Sequence, residues 1–239
     1  MRGITDGRLA ALLVGVLLAA GPAGASGMDD HILTHFDIER LEYQLRDGAD
    51  AVAWEAQGWV GNDAGKLWLK TEGERPRGGD FETAEVQLLY SRPLDDFYDI
   101  QGGFRFDAEP DPRRGYAVLG IQGLAEQFVE VDAAAFVSHR GEVSARLEAE
   151  HDLLLTQRLV LQPSVEVNLS AQEVEEREIG AGITDIGLGA RLRYEVQREI
   201  APYLGVQWER KLGGTAILAR KHGEDPATLS FVTGLRVWF

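Results

Sequence analysis

The chain has 239 residues, with 39 acidic against 24 basic side chains, a formal net charge of −15 and no cysteine. This balance disfavours nucleic acid as a partner and suits cations, and without cysteine there is neither a disulfide nor a thiolate ligand for a metal. No stretch beyond the first 25 residues is long and apolar enough for a transmembrane helix.

In chain order, residues 1–25 read as a secretory signal peptide. Arg2 and Arg8 form the basic start, Leu9–Ala20 the apolar stretch and Ala23-Gly24-Ala25 the cleavage site. Residues 26–35 read as a short periplasmic linker, acidic and carrying Met and His. From Phe36 to Phe239, apolar and polar residues alternate with period two, as half-buried strands require. The expected strands are Phe36–Arg46, Ala51–Val60, Lys66–Glu74, Glu82–Ser91, Tyr98–Asp107 and Tyr116–Leu124. They continue with Phe128–Val137, Val143–Glu150, Leu159–Leu169, Ile183–Val196, Ala201–Lys211 and Thr228–Phe239. The first keeps Leu41, Tyr43 and Leu45 on its apolar face only if a β-bulge shifts the register near Glu39-Arg40.

A soluble sandwich also alternates, but its strands are usually shorter. Here the apolar faces are rich in Ala, Leu and Val, with aromatic residues towards strand ends, and the polar faces mix Arg with Glu and Asp. Those features fit an outer-membrane barrel with a polar interior and an aromatic girdle. Hydrocarbon tolerates no open strand edge, so the sheet must close. The sequence therefore predicts an all-β fold, a transmembrane antiparallel up-and-down β-barrel over 36–239, of about twelve strands. Ten strands are the alternative, if one N-terminal hairpin is lost. The terminal FVTGLRVWF would close the ring against the first strand. Short connections such as GNDAG and AEQ alternate with long ones such as AQEVEEREIGAG, as periplasmic turns and extracellular loops should. HDLLLTQR is the exception, long for a periplasmic turn.

The sharpest chemical cluster is MDDHILTHFDIE, which gathers Met28, Asp29, Asp30, His31, His35 and Asp37 beside the periplasmic mouth. Thioether with imidazole suits Cu(I), and imidazole with carboxylate suits Cu(II). On an extended strand His31 and His35 would stand about 13 Å apart, too far to share one ion; on a helical turn they would converge. A solvated acidic linker is the plain alternative. His151 could add a ligand at the same mouth, a surface turn being its ordinary role. Among lumen charges, Glu130 and Asp132 beside Glu148 and Glu150 form the best acidic run for a cation path; mutual neutralisation explains most of the others. Enzyme signatures are absent: there is no GxSxG, HExxH or P-loop, and Ser138 and His139 fall on opposite strand faces. The chain is read as a non-enzyme.

The segments MDDHILTH, DIERLEYQ, AWEAQGWVG, LWLKTEGE, AEVQLLYSRP, ARLEAEHDLLLTQRLVLQP, APYLGVQWERKLGGTA and RVWF, in this order, resemble the copper-resistance protein B family from about Met28 to Phe239. The resemblance implies an outer-membrane barrel of a Gram-negative bacterium that binds copper, as Cu(I) or Cu(II), and moves it across the outer membrane or sequesters it there. Its implied partners are outer-membrane lipid, copper ions and a periplasmic multicopper oxidase of the same resistance system. Many family members carry a longer Met- and His-rich stretch before the barrel, which shifts the expectation here towards binding or passage in the barrel itself. The alternative is a general small-solute porin or structural barrel with incidental metal binding.

Overall fold

The structure, a computed structural model, describes residues 31–46 and 48–239. Met28, Asp29 and Asp30, expected as metal ligands, lie outside the described residues, as do residues 1–25. Thirteen strands follow one another: β1 (Leu33–Arg46), β2 (Ala51–Asn62), β3 (Gly65–Pro76), β4 (Thr83–Pro93), β5 (Tyr98–Glu109), β6 (Arg114–Ala125), β7 (Val129–Ser138), β8 (Val143–His151), β9 (Leu153–Leu154), β10 (Leu159–Ser170), β11 (Gly182–Tyr194), β12 (Ile200–Lys211) and β13 (Ala227–Trp238). Two-residue β9 continues β8 past Asp152 and pairs with Val160 and Leu161 of β10, so twelve staves make the wall. This removes the apparent exception in HDLLLTQR, whose first residues extend the strand and leave only 155–158 as turn.

Each stave is antiparallel to the next, and β13 pairs with β1 to close the sheet. The last residue completes the seam: the Phe36 amide donates to the Phe239 carbonyl at 3.1 Å, and the Phe239 amide donates back at 2.9 Å. β1 starts at Leu33, earlier than alternation alone indicates, because Leu33, Thr34 and His35 pair with Gly61, Val60 and Trp59. Its register with β2 shifts between Ile38 and Arg40, where the pattern demands a bulge. Asp37 before the bulge and Glu42 after it are therefore both buried inside, while Leu41 and Leu45 point out.

The burial pattern is inverted relative to a soluble protein, and this decides what surrounds the wall. Phe104 is 72% exposed and Leu204 67%, whereas Glu42, Asp107, Arg114 and Arg191 are almost fully covered. A monomer in water does not display such a belt; a lipid-facing barrel must. Phe231 and Phe239 belong to that belt, and Ser230 and Val232 of the same strand face the lumen.

Two features depart from the pattern reading. The connection from β12 to β13 holds a helix, α1 (Gly213–His222), ended by Gly223 at φ 84°. Tertiary packing makes it: Thr215, Ala216, Leu218 and Ala219 are buried. Second, the lumen contains an apolar cluster of Trp68, Leu89, Val118 and Phe136, flanked by Trp59, Tyr116 and Ala134. Several aromatics expected in an outer girdle thus point inward. Trp59 shares strand parity with Glu55 and Gln57, and Trp68 with Lys70 and Glu72, so the alternation itself carried that signal.

Elsewhere the interior is ionic. The Glu42 carboxylate, wholly buried, accepts from Arg191 Nε at 2.6 Å and from the Tyr203 hydroxyl at 3.1 Å. Gly234 makes room for the Tyr203 ring, which would collide with any Cβ there. Replacing Arg191 by Met strands a buried carboxylate, a loss of about 3–5 kcal/mol. The variant should lose its folded, fast-migrating gel form at a lower temperature than the parent, as heat-modifiable mobility measures.

Candidate functional site: an acidic lumen in two chambers

The end carrying Leu33 and Phe239 has the short turns and is the periplasmic one; the long connections 171–181 and 212–226 lie at the other. The interior between them is divided. An inner chamber of about 530 Å³ opens among His35, Asp37, Glu39, Trp59, Lys70, Glu130, Asp132, Glu148 and Glu150. An outer chamber of about 270 Å³ lies among Glu74, Asp107, Glu109, Arg177, Asp185 and Glu209. Glu72, Glu85, Arg146, Glu166 and Gly187 border both.

Strand register stacks carboxylates on carboxylates. Glu55, Glu72, Glu85 and Asp107 stand opposite one another in turn across β2 to β5. On the other wall Asp132 faces Glu148, which faces Glu166, and Glu130 faces Glu150. Like charges directly opposite repel, so cations must lie between them. Arg40 meets Glu55 at 2.5 Å, and Lys70 reaches across the lumen to Asp132 at 2.7 Å. Arg146 of β8 spans further still. It lies 2.8 Å from Glu72 and 3.1 Å from Glu85 on the far wall, with Glu148 and Glu166 at 3.8 and 3.9 Å.

The sequence-predicted acidic run is therefore assembled on β7 and β8, and it lines the inner chamber. Asp132 is matched by Lys70 and Glu150 accepts from Gln162 at 2.9 Å, while Glu130 has no ion-pair partner among the described residues. His35 and Asp37 line the same chamber. His35 tilts against Trp59, centroid to centroid 6.1 Å, and Asp37 binds Arg236 at 3.0 Å through one oxygen while Oδ1 has no hydrogen-bond partner. His35 sits on an extended strand, not a helical turn, and His31 is exposed. His151, paired with Val129, has the opposite parity from Glu150, and its Nδ1 lies 3.1 Å from the Phe128 carbonyl. It is not brought to the chamber. Among the described residues no three His, Asp or Glu side chains are already gathered as a metal cage. Ser138 donates to Glu142 at 2.6 Å, whereas His139 Nδ1 lies against the backbone of Gly115.

Over the extracellular mouth lies the connection 171–181, which sequence reading gave only as a loop. Arg177 at its tip reaches into the barrel, 2.8 Å from Asp107 Oδ2 and 2.5 Å from the Tyr116 hydroxyl. Glu176 meets Arg114 at 3.2 Å and Arg140 at 2.6 Å. On its other side the Gly180 amide donates to Thr215 of α1 at 2.9 Å, and Gly180 touches Gly214 so closely that a Cβ would clash. Arg114 also binds Glu142 in the neighbouring turn; burial pushes that carboxyl up, but the Ser138 hydroxyl and Arg114 outweigh it and hold it below the usual carboxylate range.

A family model described as copper resistance protein B precursor (CopB) matches residues 32–239, which is the whole barrel. The chain belongs to the copper resistance protein B family. Copper resistance protein B of Escherichia coli is 43% identical over 202 residues, covering 84% of this chain and 68% of that protein. The copper resistance protein B homolog of Pseudomonas syringae pv. tomato is 41% identical over 211 residues, covering 88% and 71%. Among solved structures, the NanC porin aligns with a TM-score of 0.57 at 13% identity, covering 84% of this chain and 98% of the porin. The KdgM porin in complex with disordered oligogalacturonate reaches 0.50 at 10% identity, covering 85% and 98%. These likenesses show the fold: this copper resistance protein B family member is an outer-membrane β-barrel.

Because the chain lacks cysteine, a single engineered thiol reports access to the outer chamber. In an Asn168→Cys barrel, with the thiol at a half-buried position of the outer chamber, a charged thiol reagent supplied from outside should react slowly, and Arg177→Gln should speed the reaction by roughly tenfold, as a released lid would. Equal labelling rates would show that Arg177 does not hold the mouth closed.

Proposed function

We propose that this barrel confers copper resistance by binding copper within its inner chamber and taking part in copper's passage across, or sequestration at, the outer membrane. Copper is cargo in this reading. The observation that carries it is the position of His35, the one histidine among the described residues that lines the acidic inner chamber. Imidazole beside carboxylate oxygen is a donor set for Cu(II), and Asp37 Oδ1, two residues along the same strand face, is a buried carboxylate oxygen that accepts no hydrogen bond. Glu130 and Glu150, on the facing strands, would keep the local potential negative and concentrate cations at the periplasmic mouth.

Met28, Asp29, Asp30, His31 and His151 are kept apart from this chamber reading; as copper ligands they rest on sequence alone. A periplasmic multicopper oxidase is proposed as the partner that exchanges copper with this end of the barrel, on the family resemblance. Nothing in the reading requires catalysis by the barrel. A general small-solute porin is the rival, and the salt-bridged crossbars from Lys70 and Arg146 count against it, because they divide the lumen that such solutes would need.

Cells carrying His35→Ala should lose copper tolerance towards the level of cells lacking the protein, with the barrel still present in the outer membrane. The purified variant should bind less copper than the parent at equilibrium. Unchanged tolerance and unchanged binding together would remove His35 from the mechanism. For the rival, addition of copper should alter the conductance of the barrel in planar bilayers; a conductance indifferent to copper favours the general porin.

A further inference from the structure

The two closures of the lumen are joined. Arg146, the crossbar between chambers, shares Glu85 with Arg105: Arg146 Nη2 lies 3.1 Å from Glu85 Oε2 and Arg105 Nη2 lies 2.6 Å from the same oxygen. Arg105 then holds Asp107 at 2.6 Å, and Asp107 in turn holds Arg177 of the extracellular lid at 2.8 Å. The sequence of groups is cation, anion, cation, anion, cation, with every link a direct ion pair. All five side chains are largely shielded from water, the most open being Arg105 at 15% exposure. In such surroundings a pair interacts far more strongly than at a surface, and losing one member leaves its neighbour poorly compensated.

We infer that this chain is a latch, and that Arg146 is the residue a permeating cation must replace. The reasoning is electrostatic. Arg146 is a tethered counter-ion for Glu72 and Glu85 on the far wall, with Glu148 and Glu166 at its own side. A free cation arriving from the inner chamber can occupy those carboxylates and release the guanidinium; an anion cannot. Once Glu85 serves the incoming cation, its hold on Arg105 weakens. Arg105 then turns wholly to Asp107, and Asp107 has less charge to give Arg177. A cation at the inner end is thereby felt at the extracellular lid, which no single side chain spans. Arg146 is thus the tethered barrier that a cation can displace from the carboxylates and an anion cannot, and Arg177 is its distant readout. This rests on the reading that cations pass through the barrel; its test uses alkali chloride rather than copper, so copper binding can fail without touching it.

The test compares Arg146→Gln, Arg177→Gln and the double variant in planar bilayers, together with thiol labelling of Asn168→Cys in each background. Heat-modifiable mobility confirms that each variant is folded. Arg146→Gln should shift the reversal potential further towards the cation's equilibrium value and, although it does not touch the lid, should slow labelling, because Glu85 without Arg146 draws Arg105 away from Asp107 and leaves Asp107 to hold Arg177. Arg146→Lys, which keeps a charge on a shorter reach, should bring labelling part of the way back. The double variant should conduct roughly tenfold more than the parent and more than either single variant, since two barriers in series must both fall. Arg236→Gln, which removes a cation from the inner chamber outside the latch, should do none of this. The proposal is overturned if Arg146→Gln leaves labelling at the parental rate while Arg177→Gln raises it. It is equally overturned if Arg236→Gln has the same effect as Arg146→Gln, which would reduce the result to net charge.

Discussion

A strand in hydrocarbon cannot leave a backbone amide or carbonyl unpaired, and the whole architecture follows from that requirement. Twelve staves satisfy it only if the last meets the first, so the reciprocal hydrogen bonds of Phe36 and Phe239 are part of the same ladder as every other rung. Closure then fixes parity. With the ring complete and the register pinned by the β1 bulge, alternate residues of each strand go to lipid and to the interior, and nearly all the charged ones go inward. The acidic character of the chain is thereby forced inward, into a space too narrow to hydrate it freely.

That confinement explains why the interior is cross-braced. The register lays Glu55, Glu72, Glu85 and Asp107 side by side, and Asp132, Glu148 and Glu166 likewise. A wall of this kind is stable only with cations held between its rows, and Lys70, Arg105 and Arg146 supply them from within the chain. The same residues that neutralise the wall also obstruct the lumen. Structural necessity and selectivity are hard to separate in such a design, because every internal cation is both a brace and a barrier.

Much of this was legible in the sequence. Alternation with period two exposes the strands and their faces, the misfit at Glu39-Arg40 locates the bulge, and loop lengths orient the barrel. The pairing of Glu130 with Glu150 and of Asp132 with Glu148 follows from hairpin register alone. What pattern could not give was contact between staves distant in sequence. Arg146 and Glu72, or Arg177 and Asp107, meet only because the cylinder brings separate walls within reach. Helix α1 escaped for a related reason, since its helical state depends on packing against β11 and β12 rather than on local propensity. The general expectation of an outer aromatic girdle does not extend to Trp59 and Trp68, whose parity with Gln57 and Lys70 turns them inward.

The inward aromatic cluster gives the cylinder two unlike halves. From β2 to β7 the inner surface is buttressed by Trp59, Trp68, Leu89, Val118 and Phe136, rings and branched chains that interlock and resist a change of curvature. On the opposite side Gly187, Gly189, Gly205 and Gly234 face the lumen, and Gln207, Arg191, Val232 and Tyr203 lie over them. That arc is filled by long polar side chains laid on bare backbone, so its rigidity rests on hydrogen bonds to Glu42 instead of on interlocked rings. One half of the cylinder is braced by shape and the other by charge.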